Sequence, residues 1–255
     1  MGDPKPIRNV SVIGIPISAV SMSSALDAIA LGLSSGEARG SYVCVSNAHT
    51  TVMAHDNESY KKVQIDSFLT LPDGKPLSVA GSKIAPEMER VTGPDLMRKI
   101  FSSSEFEGAS HYFYGNTRPN VEALVNTLGK EFPSLCIAGF EPSLFRDLTE
   151  DEKSELCERI DASGADIVWM GLGAPRQEML CAQLKGKTNA LMVGVGGAFN
   201  VLAGIVPEAP RWMQNASLEW LYRLIQEPGR LFKRYAVTNT RFLYLLAKEG
   251  CSLAE

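Results

Sequence analysis

Two glycine-rich turns stand twenty-odd residues apart, Gly171-Leu172-Gly173-Ala174-Pro175-Arg176-Gln177-Glu178 and Gly194-Val195-Gly196-Gly197-Ala198-Phe199-Asn200, and each directly follows a short apolar run. Glycine lets main-chain N–H groups and helix N-termini come close to an anion, so the pairing points to a phosphate-bearing ligand. The runs Ile167 to Met170 and Leu191 to Val193 read as buried parallel strands, and open α/β sheets bind ligands at the carboxyl ends of such strands. A lone Gly-x-Gly is at least as often just a tight strand-to-helix turn; two of them, one continued by Pro-Arg-Gln-Glu, favour a site. A third turn, Pro72-Asp73-Gly74, ends the run Phe68 to Leu71, and on its residues alone it is a β-turn.

Several chemistries are disfavoured. A dinucleotide fingerprint needs one more glycine after Gly-x-Gly-x-x, and Arg176 and Phe199 occupy those positions, so a NAD-dependent oxidoreductase or epimerase is not expected. Cys44, Cys136, Cys157, Cys181 and Cys251 are scattered and odd in number, which suits neither a disulfide framework nor a zinc site and fits a reducing cytoplasm. His49, His55 and His111 lack ligand spacing, and no Asp-x-Asp stands anywhere, so neither a metal nor another cofactor is expected. A net charge of −4 gives no reason to expect nucleic acid as a partner.

These residues need a scaffold to position them. From Val10 onward, short apolar runs alternate with amphipathic stretches, the pattern of a layered α/β sheet with helices on both faces. Val10 to Ile17 reads as a strand or hairpin, Ser23 or Ser24 as the cap of a helix carrying Ala25, Ile29 and Leu33, and Tyr42 to Val45 as a strand ending at Ser46-Asn47. Further on come a helix near Asp95 to Phe101, a strand Tyr112 to Tyr114, a helix from near Pro119, a strand Leu135 to Ile137, and a helix opened by the capping box Thr149/Glu152. Ala190 to Val206 is nearly all apolar, but its glycines and Asn200 make it a strand, turn and short helix rather than the roughly 20-residue span a membrane requires. The segment Met1 to Pro6 lacks the apolar core of a signal peptide.

Composition changes after Ile205, dividing the chain into an α/β core over 1–205 and a helical appendage over 206–255. Residues 211–241 carry a net charge of +4 and the remainder −8. The appendage also holds Trp212, Trp220, Tyr222, Phe232, Tyr235, Phe242 and Tyr244, with Pro228-Gly229 between two helices. Basic aromatic helices suit an anionic lipid surface. Periodicity alone favours packing for a stripe such as Leu221, Leu224 and Ile225, whereas Arg223, Arg230 and Arg234 around one break suit a diphosphate.

In order along the chain stand Ser46-Asn47-Ala48-His49, Leu71-Pro72-Asp73-Gly74, Glu89-Arg90-Val91-Thr92-Gly93-Pro94-Asp95-Leu96, the two glycine turns, Ala209-Pro210, and Leu218-Glu219-Trp220-Leu221-Tyr222-Arg223 with Pro228, Arg230 and Arg234. With these motifs the chain resembles the bacterial glycosyltransferases of the WecG/TagA/CpsF family over most of its length. The resemblance implies a Rossmann-like fold with a membrane-associating C-terminal appendage and a metal-free, inverting transfer of a sugar from a UDP-sugar donor to a sugar on a polyprenyl diphosphate. That work belongs to teichoic acid, common antigen or exopolysaccharide synthesis at the cytoplasmic face of the plasma membrane, with N-acetylmannosamine or a relative as the leading donor sugar.

The resemblance also assigns roles. Asp73 matches the acidic residue proposed as the family's base; Asn47 and Gln177 match active-site positions and would hydrogen-bond sugar hydroxyls, the plain alternative being turn and helix capping. Arg90 would contact donor or acceptor, and Thr92 would do so or cap the next helix through Asp95. Gly171, Gly173, Pro175, Gly194, Gly196, Gly197 and Asn200 would line the donor site, with main-chain N–H groups near Gly196 and Gly197 on the diphosphate and Arg223, Arg230 and Arg234 closing over it. Two positions depart from the family pattern: Asn200 stands where many relatives have Asp, and Glu208 where relatives often have Arg. A scaffold that binds a UDP-sugar without turnover is the competing reading, and self-association would cover apolar appendage surface away from lipid.

Overall fold

The computed structural model describes residues 7–210, 212–213, 218–226 and 228–254; the side chains of residues 219, 220, 230, 231 and 233–235 lie outside the description. Its centre is a six-stranded parallel sheet of β3 (Tyr42–Ser46), β4 (Leu69–Pro72), β5 (Ser110–Gly115), β6 (Cys136–Glu141), β7 (Ile167–Gly171) and β8 (Leu191–Gly194), in the order β4-β3-β8-β7-β5-β6. The strands read as unbroken apolar runs because both faces are covered. Alternate residues go to opposite sides: Val43, Val45, Phe113, Trp169 and Val193 into one layer, Tyr42, Cys44, Tyr112, Val168, Met170 and Met192 into the other.

The first layer is closed by α1 (Met22–Ser35), α5 (Gly93–Ser102), α6 (Arg118–Glu131) and α9 (Ala198–Leu202). The second is closed by α3 (Glu58–Ile65), α7 (Glu150–Ala162) and α8 (Arg176–Leu184). The fold is thus a Rossmann-like α/β layer structure. A third cluster joins α2 (Ala48–Asp56) and α4 (Lys75–Gly81) to a small antiparallel sheet, β2-β1-β9, made of β1 (Asn9–Val12), β2 (Ile15–Ser18) and β9 (Cys251–Leu253).

Helix starts follow local hydrogen bonding. Thr149 and Glu152 cap α7 reciprocally, as the sequence predicts. For α1 the cap is Ser21, not Ser23 or Ser24: the Ser21 hydroxyl accepts from the Ser24 N–H while the Ser24 hydroxyl accepts from the Ser21 N–H, so two donors are satisfied at once. The sixth strand extends past the predicted Ile137 to Glu141, through Ala138-Gly139, and is only half-buried at the sheet edge.

The C-terminal segment contributes α10 (Glu219–Gln226) and α11 (Pro228–Glu249). The second helix presents Thr238, Phe242 and Leu245 inward, Phe242 and Leu245 packing with the small sheet. Arg241 reaches Asp56 of α2 through two charge-assisted bonds of 2.8 and 2.5 Å, which holds the Asp56 carboxyl down at about 2. The chain then returns to pair β9 with β1. No helix among the described residues is long and apolar enough to cross a membrane.

Candidate functional site

Four strand ends meet at one cavity of about 940 Å³. At the end of β3, Asn47 caps α2, its Oδ1 accepting from the N–H groups of His49 (3.0 Å) and Thr50 (3.3 Å). Beside it, the Asp73 N–H donates to the Ser46 carbonyl at 2.7 Å, carrying the β3/β4 ladder one residue past the strand. That bond sets Asp73 next to Asn47 on the cavity wall, half-buried. Gly74 then turns away with φ of 100°, a conformation that side chains resist.

A strap over residues 89–92 crosses in front of β4, tied by the Val91 N–H to the Pro72 carbonyl at 2.9 Å. It brings Arg90 to the cavity. Thr92 does not line it: buried, it caps α5, accepting from the Asp95 N–H at 3.2 Å and donating to the Asp95 carboxylate at 2.8 Å.

The glycine turns at the ends of β8 and β7, the next strands along the sheet, also line the cavity. Gly173, Gly194, Gly196 and Gly197 line the cavity, whereas Gly171 and Pro175 do not. Gly171 is glycine for packing, since a Cβ there would meet the Phe199 ring at 2.4 Å. The Val195 and Gly196 N–H groups both donate to the Met170 carbonyl, at 3.0 and 3.1 Å, so the Gly196 amide is already committed, while Gly197 is exposed. Gln177, nearly fully buried, lies between the turns: its Oε1 accepts the Gly173 N–H at 3.0 Å and its Nε2 donates to Glu178 at 2.8 Å. Its amide is therefore engaged largely within the protein. Burial pushes the Glu178 carboxyl above its ordinary range, against the Gln177 bond that lowers it.

Asn200 faces elsewhere. Its Oδ1 accepts from Asn116 at 2.6 Å and Asn120 at 3.3 Å, in a cluster of asparagines beyond the ends of β5 and β8. Glu208, the other departure from the family pattern, takes a fork–fork pair from Arg98 of α5 at 2.9 and 3.1 Å, which anchors the segment leading into the appendage. Of the three appendage arginines, Arg223 reaches the cavity; the side chains of Arg230 and Arg234 lie outside the described residues.

The model of the glycosyl transferase WecG/TagA/CpsF family matches residues 10–255. The chain belongs to that family. It is also 28% identical over 194 residues to an N-acetylglucosaminyldiphosphoundecaprenol N-acetyl-β-D-mannosaminyltransferase of Bacillus spizizenii, an alignment covering 75% of this chain and 74% of the relative.

The cavity of this WecG/TagA/CpsF member has residues that the sequence motifs do not single out. Lys75, Val79 and Lys83 line it from α4 and the turn after it, at a four-residue spacing that marks one helix face. From α11 come Thr238, Asn239, Phe242, Leu243 and Leu246, with His49 bonded across to Thr238 at 3.2 Å. The charged lining is Lys75, Lys83, Arg90 and Arg223 against Asp73, with the Glu178 carboxyl buried beside them, a balance that attracts anions. Among the described residues no three His, Cys, Asp or Glu side chains cluster as metal ligands.

Proposed function

We propose that this family member is an inverting glycosyltransferase that moves a sugar, N-acetylmannosamine or a close relative, from a UDP-sugar to a sugar on a polyprenyl diphosphate during cell-surface polysaccharide or teichoic acid synthesis. The observation that carries the reading is that the Asp73 carboxylate and the glycine turns of β7 and β8 line the same cation-lined cavity. The relative from Bacillus spizizenii supports the acceptor and sugar classes through its name.

In this mechanism the acceptor hydroxyl attacks the anomeric carbon from the Asp73 side and gives its proton to the Asp73 carboxylate. The anomeric C–O bond to the β-phosphate breaks at the same time, and UDP departs with the electron pair. A single displacement inverts the anomeric centre. The Gly197 N–H and the cations Arg90 and Arg223, with Lys75 and Lys83, stabilise charge on the leaving diphosphate. The Asn47 side-chain NH2 group, not used in its cap, orients a sugar hydroxyl. The work site is the inner face of the plasma membrane, with the exposed apolar and basic side chains of α10 and α11 resting on anionic lipid.

The test is UDP release by purified protein given a panel of UDP-sugars and a short-chain lipid-diphosphate N-acetylglucosamine. Turnover should be confined to one or a few donors, and Asp73→Asn should lower kcat about 100-fold or more while UDP-sugar affinity stays within a few-fold. Failure of every donor, with binding unchanged by Asp73→Asn, is the outcome the scaffold reading requires.

A further inference from the structure

A buried polar strip runs under the cavity wall and ends at the glycine turn of β7. Ser46, next to Asn47, donates to Gln64 Oε1 at 2.5 Å; Gln64 and Tyr60 stand one turn apart on α3, facing α8. Glu178 follows on α8, then Gln177, then the Gly173 N–H. Tyr60 Oη, Gln64 Nε2 and the second Glu178 oxygen are buried without a hydrogen bond among the described residues. Burying such groups without a partner is costly, so an apolar residue at 178 would ordinarily be the more stable choice.

What Glu178 does is fix an orientation. A glutamine amide has almost the same shape either way round, and only its partners decide which end is oxygen. A Cβ on Gly194 would stand 3.1 Å from Gln177 Nε2, and one on Gly196 would stand 3.2 Å from Gln177 Oε1, so the amide fills the space between the two turns. Turned over, it would point an NH2 group at the Gly173 N–H, donor against donor. The Glu178 oxygen that accepts from Nε2 adds to this preference for the observed orientation. We propose that Glu178 is a positioning residue, which holds Gln177 the one way round that braces the Gly173 turn against the Gly194 and Gly196 turn and so pre-forms the donor diphosphate site. The assignment of that site to a donor rests on the function proposed above; the brace itself does not.

The groups that interact with Glu178 are Gln177, Tyr60 of α3, Cys44 of β3 and Cys181 of α8, and none of these is a cation. Burial therefore favours the neutral acid, which offers one carbonyl oxygen to Gln177 as a primary amide would. Glu178→Gln should keep the brace, and Glu178→Leu should fill the space but lose it.

Hydrogen exchange of the Gly173 amide reads this without any substrate. It should be unchanged in Glu178→Gln and at least about tenfold faster in Glu178→Leu, with the melting temperature of both variants recorded alongside. The donor KM should rise about tenfold or more in Glu178→Leu with the acceptor KM little changed, and Glu178→Leu should add nothing in a Gln177→Leu background. Equal Gly173 exchange in wild type and Glu178→Leu, or a Glu178→Gln protein as impaired as Glu178→Leu, overturns the proposal. If Glu178→Leu does not fold, the Glu178→Gln protein and Gln177→Leu decide: slow Gly173 exchange in the first and fast in the second support it, and any other pattern ends it. Wild type with a protected Gly173 amide but no affinity for UDP would instead refute the donor reading and leave the brace standing.

Discussion

His111 is a buried ionisable residue with an effect on stability that can be assigned a sign. Its Nδ1 accepts the Trp169 indole N–H at 3.2 Å inside the first core layer, and burial lowers its pKa to about 4. The unfolded chain takes up that proton near pH 6.5. Between about pH 6.5 and about 4 the unfolded state therefore binds more protons, and stability must fall as the solution is acidified, by up to about 1.4 kcal/mol per pH unit and about 3 kcal/mol in all. Carboxylates such as Asp56, held at about 2 by Arg241, lose their contribution only below their unfolded value near 4, so the two windows separate. Urea unfolding at a series of pH values should show this slope in wild type, and His111→Gln, which keeps an acceptor for Trp169, should flatten it by about 1 kcal/mol per unit. A parallel slope in the variant would assign the acid sensitivity to other groups. Residue types alone did not single out Glu178: Pro-Arg-Gln-Glu pointed to a site at the turn, and only the α3–α8 packing shows that its glutamate is buried.

At the scale of elements, the glycines separate by what a methyl group would meet. Gly115 ends β5 with φ of 132°, and a Cβ there would lie 2.7 Å from the Gly171 carbonyl carbon at the neighbouring strand end. Gly129, near the end of α6, has nothing within 4 Å. Gly115→Ala should cost at least about 2 kcal/mol, whereas Gly129→Ala should add about 0.5–1 kcal/mol, both measured by chemical unfolding. A neutral Gly115→Ala would mean that the two strand ends can separate. The contrast also marks what was legible in the sequence. Parallel strands announced themselves because both faces are buried, and the turns at their ends because glycine must stand there; Asp73 was singled out by the family resemblance, since Pro72-Asp73-Gly74 by itself reads as a β-turn. The Ser21 cap was obscured by neighbouring hydroxyls, any of which could cap, and the end of β6 by Ala138-Gly139 within an edge strand. β9 was invisible: three residues with no pattern, paired across almost the whole chain to β1. Of the two readings open for Thr92 the structure takes the helix cap with Asp95, while Asn200 spends its side chain on Asn116 and Asn120, neighbours that only the fold brings together.

At the scale of the molecule, the C-terminal segment has two faces with different work. Phe242 and Leu245 pack in the core, Arg241 grips Asp56, and β9 completes the small sheet, so cutting the chain after Ile205 would damage the fold together with any lipid contact. The outer face is the informative target: Ile225 is 69% exposed, Phe232 67% and Val237 60%, within a stretch of net charge +4. Inserting a phenylalanine or isoleucine into the lipid interface gains about 1.5–3 kcal/mol, and each basic residue near an anionic surface about 1 kcal/mol. The double variant Ile225→Glu/Phe232→Glu should then lower partitioning onto phosphatidylglycerol vesicles by at least about 100-fold, with weaker binding of wild type to phosphatidylcholine vesicles and a loss of affinity as salt rises. Neither residue lines the cavity, so turnover of a short-chain soluble acceptor should persist while turnover of acceptor embedded in vesicles falls. Undiminished vesicle binding by the double variant would remove lipid as the cover for this face, and a concentration-dependent dimer broken by the same substitutions would give that cover to a second copy of the chain.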